Sequence, residues 1–122
     1  MIQTITGSSF PAPYATSITG RRLIGRRVLR YATVGSTQDV AMRLAKCGDS
    51  HGTAILSDYQ TTGRGRFGRT WISPRGGSTN LSVILRPTPN IIGSVSIAAA
   101  VAVVRAVYKL TGLPCTIKWP ND

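Results

Sequence analysis

Segments patterned as strands alternate with segments patterned as helices along this chain, which confines it to a layered architecture of mixed α and β structure. Leu23 to Val34 sets Leu, Ile, Val, Leu, Tyr and Val among arginines, and Gly25 with the β-branched residues disfavours a helix there. The stretch predicts a half-exposed strand. Ser36 or Thr37 then caps a helix: Asp39 stands three residues after Ser36, as in a capping box, and Val40, Ala41, Leu44 and Ala45 form an apolar stripe ending at Gly48. Thr53 to Tyr59 and Asn80 to Leu85 predict two further strands, the second closed by Pro87, with a loop rich in glycine and arginine from Thr61 to Arg69 between them. A helix over Ser94 to Leu110 follows, stopped by Gly112 and Pro114, and then a short strand around Thr116 to Trp119. No internal repeat is present. Residues 1–20 are polar and rich in Ser, Thr, Gly and Pro, without the basic start and apolar block of a secretory signal, and predict a flexible tail.

At 122 residues the chain makes one domain or part of one, and it carries 15 Lys and Arg against four acids, all Asp, for a net charge of +11. Such an excess implies anionic partners or a missing acidic portion. Most of the positive charge lies in the first half, where the arginines between Arg21 and Arg30 suit either a nucleic-acid arm or a sheet-edge face. Cys47 and Cys115 are far apart and form no CxxC pair, which predicts a reducing, cytoplasmic setting without a structural metal. The fourteen-residue apolar run from Ile91 to Val104 is interrupted by Gly93, Ser94 and Ser96. It is too short to span a bilayer and suits a buried helix, so no membrane partner is expected.

The segment Gln60 to Pro74, QTTGRGRFGRTWISP, carries the chemistry. Gly63, Gly65 and Gly68 satisfy GxGxxG, but a dinucleotide fingerprint needs a helix directly afterwards to present amide N–H groups to a pyrophosphate. Arg69 to Gly77 contains Pro74 and Gly76 and cannot start one, and no acid follows at the spacing that binds a ribose. A P-loop fails too, for want of GK[ST]. What the loop does offer is guanidinium at Arg64, Arg66 and Arg69 on a glycine-permitted backbone. A guanidinium fork binds carboxylate or phosphate through paired charge-assisted hydrogen bonds, so three of them suit a site for more than one anion; without ligand, such a loop should be mobile. Read on composition alone, the same residues also fit a solvated surface loop.

Ser36 to Gln38, the segment Gln60 to Trp71, Ser73 with Pro74, and the terminal KWPND (Lys118 to Asp122) occur together and in order, and in this the chain resembles the biotin protein ligases over roughly residues 20–122. The resemblance implies an α+β fold like the catalytic domains of class II aminoacyl-tRNA synthetases, a mixed β-sheet flanked by helices. It further implies ATP-dependent activation of biotin to biotinyl-5′-adenylate, with Mg²⁺ accompanying ATP. The acyl group then passes to a lysine of the biotin carboxyl carrier protein of acetyl-CoA carboxylase. A lipoate or octanoate ligase or transferase of the same fold, and a basic nucleic-acid-binding module, are the competing readings. A nucleic-acid module would lose affinity steeply with salt.

Carried over by position, Ser36, Thr37 and Gln38 meet the biotin head group, with Gln60 along the same pocket. Gln38 stands where the family more usually has Asn. Arg64, Gly65 and Arg66 close over biotin and the adenylate, and Arg66 with Arg64 carries the catalytic charge. Gly63, Arg66, Arg69 and Trp71 face ATP, and Asn121 and Asp122 lie near the ribose and the phosphates, Asp122 with the metal. Ser36 and Thr37 are also good helix caps whatever the function. Trp119 suits a core position, Lys118 is ambiguous, and His51 suits a solvated loop. The resemblance also implies a truncated domain. Family members continue past KWPND into a lysine-bearing segment and glycine-bearing strands that complete the pocket, so this piece alone is expected to have little or no activity. The helix-turn-helix of ligases that double as repressors is not expected in residues 1–20, and neither is specific DNA binding.

Overall fold

The computed structural model describes residues 11–18, 20 and 23–118. The chain divides into two compact units, Met1–Leu85 and Arg86–Asp122. The first holds a four-stranded sheet in the order β1 (Ala15–Ile18), β2 (Arg27–Tyr31), β3 (Ala54–Ser57), β4 (Asn80–Val83), with helix α1 (Thr37–Lys46) connecting β2 to β3. β2 and β3 run parallel, as a β-α-β connection requires, and the outer pairs are antiparallel. The layering of strands and helix expected from the alternating pattern is therefore present, as is the mixed sheet that the resemblance implies.

Packing follows from the stripe on α1. Val40 and Ala41 are buried, Leu44 and Ala45 lie against them, and together they meet Leu29, Tyr31, Val34, Ile55 and Ile84. Ile55, on the central pair of strands, is wholly out of water. Removing a side chain of this size from water is worth about 1.5–3 kcal/mol, and this small cluster is the only core among the described residues of the unit. Ser36 is the N-cap, its hydroxyl accepting from the Gln38 N–H at 3.2 Å. The capping box expected from Asp39 does not form, because the Asp39 carboxylate is bound to Arg64.

Several boundaries move, each for a reason of partnership. Residues 15–18 are not tail: Thr16 and Ile18 suit a strand, and the free edge of β2 supplies the hydrogen bonds, continued by the Tyr14 N–H to the Arg30 carbonyl at 2.8 Å. Met1 to Phe10 lie outside the described residues. β2 starts only at Arg27, since Gly25 takes a positive φ of 76° and turns the chain. β1 on one side and β3 on the other make β2 an interior strand, so the sheet-edge reading of its arginines fails. Arg27 instead pairs with Asp49 at 2.7 Å. Arg21 and Arg22 lie outside the described residues. β3 and β4 are shorter than the sequence predicts, ending where their cross-strand partners end.

The second unit contains α2 (Val95–Thr111), preceded by a 3₁₀ turn at Ile92–Ser94 and ended by Gly112 where the sequence places the stop. The helix is expected to be buried; within its own unit it contacts the preceding 3₁₀ turn, and the described residues of that unit by themselves supply no core to cover it. With the turn it runs Ile92–Thr111, long and apolar enough to cross a membrane by length and composition, a test that core helices of soluble proteins also pass. The helix continues through Arg105 and Lys109, as the sequence predicts, and so is longer than the fourteen-residue apolar run on which the bilayer argument rested. Residues 116–118 form no strand, having no hydrogen-bonding partner strand among the described residues of the unit, and Trp119 lies outside them.

Candidate active site

Parallel pairing places the C-terminal ends of β2 and β3 side by side, so whatever follows each strand meets at one end of the sheet. Ser36, Thr37 and Gln38 follow β2 and begin α1; Gln60 follows β3 and is bridged in parallel to Val34. The start of α1 lies at the same place, an end of the helix that favours negative charge, with the Thr37 N–H taken by Gln60 and the Gln38 N–H by Ser36.

A polar network lies beneath. The Thr37 N–H and hydroxyl both donate to Gln60 Oε1, at 2.7 and 2.9 Å, and the Thr37 hydroxyl also shares a 2.9 Å hydrogen bond with Ser82. Gln60 Nε2 faces Asn80 Oδ1 at 3.4 Å, while Asn80 Nδ2 donates to the Ser57 carbonyl at 3.1 Å. Thr37, Ser57 and Asn80 are buried. β4 inverts the usual polarity of a strand: Ser82 pairs across from the core residue Ile55 and Asn80 from Ser57, whereas Leu81 is half exposed on the other face.

The arginine loop is a small hairpin. The Trp71 N–H donates to the Gly63 carbonyl at 2.8 Å, Gly65 N–H to Arg69 at 2.7 Å, and Arg64 bridges Thr70 antiparallel. Its tip is a 3₁₀ turn at Arg66–Gly68 in which Phe67 adopts the left-handed region, φ 57° and ψ 34°. The residues after the fingerprint glycines thus form no helix, as expected. Gly63 fits its place only because it lacks a side chain; a Cβ there would lie 2.6 Å from the Trp71 carbonyl oxygen and 3.1 Å from Gln60 Nε2. Arg64 reaches back to the first turn of α1 and pairs with Asp39.

These elements enclose a concavity of about 300 Å³ lined by Ser36, Thr37, Gln38, Gln60, Arg64 and Trp71 on the predicted side, and by residues 78–82 on the other. That is the lower end of the range for small-molecule sites. Six of the residues singled out in the sequence are therefore brought together. Gly65, Arg66 and Arg69 sit on the hairpin outside this lining, and the Arg66 guanidinium rests 5.2 Å from the Phe67 ring centre. Asn121 and Asp122 lie outside the described residues. Asp39, Asn80 and Ser82 were not foreseen, although the polar residues Ser78, Thr79, Asn80 and Ser82 crowded into a strand-forming stretch were a readable sign of a polar inner face. A second concavity, about 390 Å³, adjoins along α1 and β4 and shares Gln38 and Ser82 with the first.

A divalent metal asks for carboxylate oxygens. Among the described residues no group of three His, Cys, Asp or Glu side chains comes together. The carboxylate nearest the concavity, Asp39, is engaged by Arg64.

The description "Biotin/lipoate A/B protein ligase family" is matched by residues 31–122. The chain belongs to this family. The bifunctional ligase/repressor BirA of Bacillus subtilis (strain 168) is 38% identical over 106 residues, covering 82% of this chain and 31% of that protein. The biotin--[acetyl-CoA-carboxylase] ligase of Mycobacterium tuberculosis is 37% identical over 98 residues, 75% of this chain and 37% of that one. A solved structure, the biotin protein ligase from Aquifex aeolicus in complex with biotin and ATP, superposes with a TM-score of 0.65 at 36% identity, over 78% of this chain and 40% of that one. The chain thus spans about a third of the length of these curated relatives. Because the family match runs from the end of β2 to the last residue, α2 lies inside the family's domain.

Proposed function

We propose that the whole protein is an ATP-dependent biotin protein ligase and that the concavity beside α1 receives biotin. The observation that carries this reading is the convergence of Thr37, Gln60, Arg64 and Trp71 on one small pocket in a family whose relatives are named biotin ligases. A biotin carboxylate oxygen attacks the α-phosphorus of ATP, the bond to the β-phosphate oxygen breaks, and pyrophosphate leaves. A lysine amine of the carrier protein of acetyl-CoA carboxylase then attacks the acyl carbon, losing a proton as AMP departs.

Both steps crowd negative charge, and this chain's part is to hold cations still where the charge builds. Arg64, already at the pocket, meets the carboxylate. Arg66 and Arg69 ride the hairpin and meet the phosphates as it folds over the substrates; Trp71 offers adenine an apolar wall, and Gly63 and Gly65 let the backbone close. Asn121 and Asp122 belong with the ribose and phosphates, and Mg²⁺, entering with ATP, would supply further charge neutralisation. The exposed free thiols of Cys47 and Cys115 support a cytoplasmic setting.

The test is pyrophosphate release and carrier labelling by the full-length protein, offered biotin and lipoate in parallel. Biotin-dependent turnover that falls by roughly 10²-fold or more in Arg66→Ala is the expected result, comparable to losing one transition-state donor. Turnover with lipoate and none with biotin would end the proposal.

A further inference from the structure

We propose that Asn80 is a positioning residue of this site, holding the Gln60 amide so that its nitrogen, and not its oxygen, is offered to a bound acid. The inference rests on the reading of the concavity as an acid-binding pocket.

The polarity of the network is fixed at both ends by backbone groups that have no choice. The Thr37 N–H can only donate, so the Gln60 atom at 2.7 Å is its oxygen; the Ser57 carbonyl can only accept, so the Asn80 atom at 3.1 Å is its nitrogen. The inner atoms that remain, Gln60 Nε2 and Asn80 Oδ1, face each other at 3.4 Å as donor and acceptor. Reversing either amide would set two donors or two acceptors together. The Thr37 hydroxyl hydrogen is committed to Gln60 Oε1, so in the Thr37–Ser82 pair it is Ser82 that donates.

Two donors hold the Gln60 oxygen, but the terminal torsion of a glutamine is soft, and an amide held by its oxygen alone can swing its nitrogen. Asn80 holds the nitrogen. Asn80 is itself almost wholly buried, anchored to β3 through Ser57 and therefore as rigid as the sheet. One Nε2 hydrogen goes to Asn80 and the second remains for the concavity that Gln60 lines. β4 thus contributes through its inverted face: Asn80 orients Gln60, and Ser82 orients the Thr37 hydroxyl.

The test is a double-mutant cycle on the full-length protein, with biotin, lipoate and ATP titrated separately by calorimetry. Asn80→Ala is expected to weaken acid binding about tenfold in the natural background and less than about twofold on Gln60→Ala, with ATP affinity unchanged in both. Asn80→Ser keeps a small polar side chain at the same place on β4 but lacks the amide oxygen that meets Gln60; it should reproduce the effect, with the melting temperature read alongside. Equal losses in both backgrounds would overturn the proposal, as would joint loss of acid and ATP binding by Asn80→Ser. Should lipoate bind in place of biotin, the biotin reading fails while the cycle run with lipoate still judges Asn80. If neither acid binds, both fall.

Discussion

Tyr31 has its ring packed among Leu29, Val34 and Ile55 and only 6% of its surface in contact with water. Burial disfavours the phenolate and raises its pKa above 10.0; Arg27 partly opposes this and Asp49 adds to it. The folded state therefore keeps the proton at a pH where the unfolded chain has begun to lose it. Stability from this group is fully present below the unfolded value of 10.0 and is lost as pH rises through the higher folded value. Melting curves between pH 8 and 11, compared for the natural chain and Tyr31→Phe, should show a smaller alkaline decline in the variant. Identical declines would assign the loss to other groups.

At the scale of the element, the hairpin from Gly63 to Trp71 is where backbone and site meet. A methyl at residue 63 would press on the Trp71 carbonyl and on Gln60 Nε2. Gly63→Ala is thus expected to displace the hairpin backbone at Trp71 as well as the Gln60 amide, weakening biotin binding by about tenfold or more and lowering the melting temperature. The hairpin tip makes a separate prediction. Phe67 sits in the left-handed region with its ring 83% exposed, so it carries backbone strain with little burial in return. Asn tolerates that conformation and Ala does not. Phe67→Asn should therefore be more stable than Phe67→Ala by about 0.5–1 kcal/mol in denaturant titrations, both having lost the ring contact with Arg66. A hairpin opened in solution would make the two variants equal.

Over the whole molecule, the charge of +11 has two possible uses that salt separates. Binding of biotin, a small acid with one charge, should change little between roughly 50 and 200 mM salt, whereas an affinity for nucleic acid built on phosphate contacts would fall by about 10³-fold or more over that range. Measuring both on one preparation shows whether the positive charge serves the pocket or a polyanion. Part of that charge is already spoken for: Arg27 with Asp49, Arg64 with Asp39, and Arg75 stacked 4.5 Å above Tyr59. The arginines do separate jobs, and their number alone does not reveal which.

By itself the sequence determined what local chemistry can determine. The stripe of α1, its Ser36 cap, the stop of α2 at Gly112, and the glycine spacing of the arginine loop depend on neighbours a few residues away, and all are found where the pattern puts them. The family motifs were legible for the same reason. Tertiary structure alone decided the rest. Thr37 meets Gln60 across 23 residues and Ser82 across 45, and Arg64 takes Asp39 out of its capping box from 25 residues away. Ala15–Ile18 becomes a strand because β2 has an edge to offer, and Asn80 turns inward because β4 pairs with β3 in one register. A hydrogen bond needs its partner in place, and no local pattern states which distant residue will arrive there.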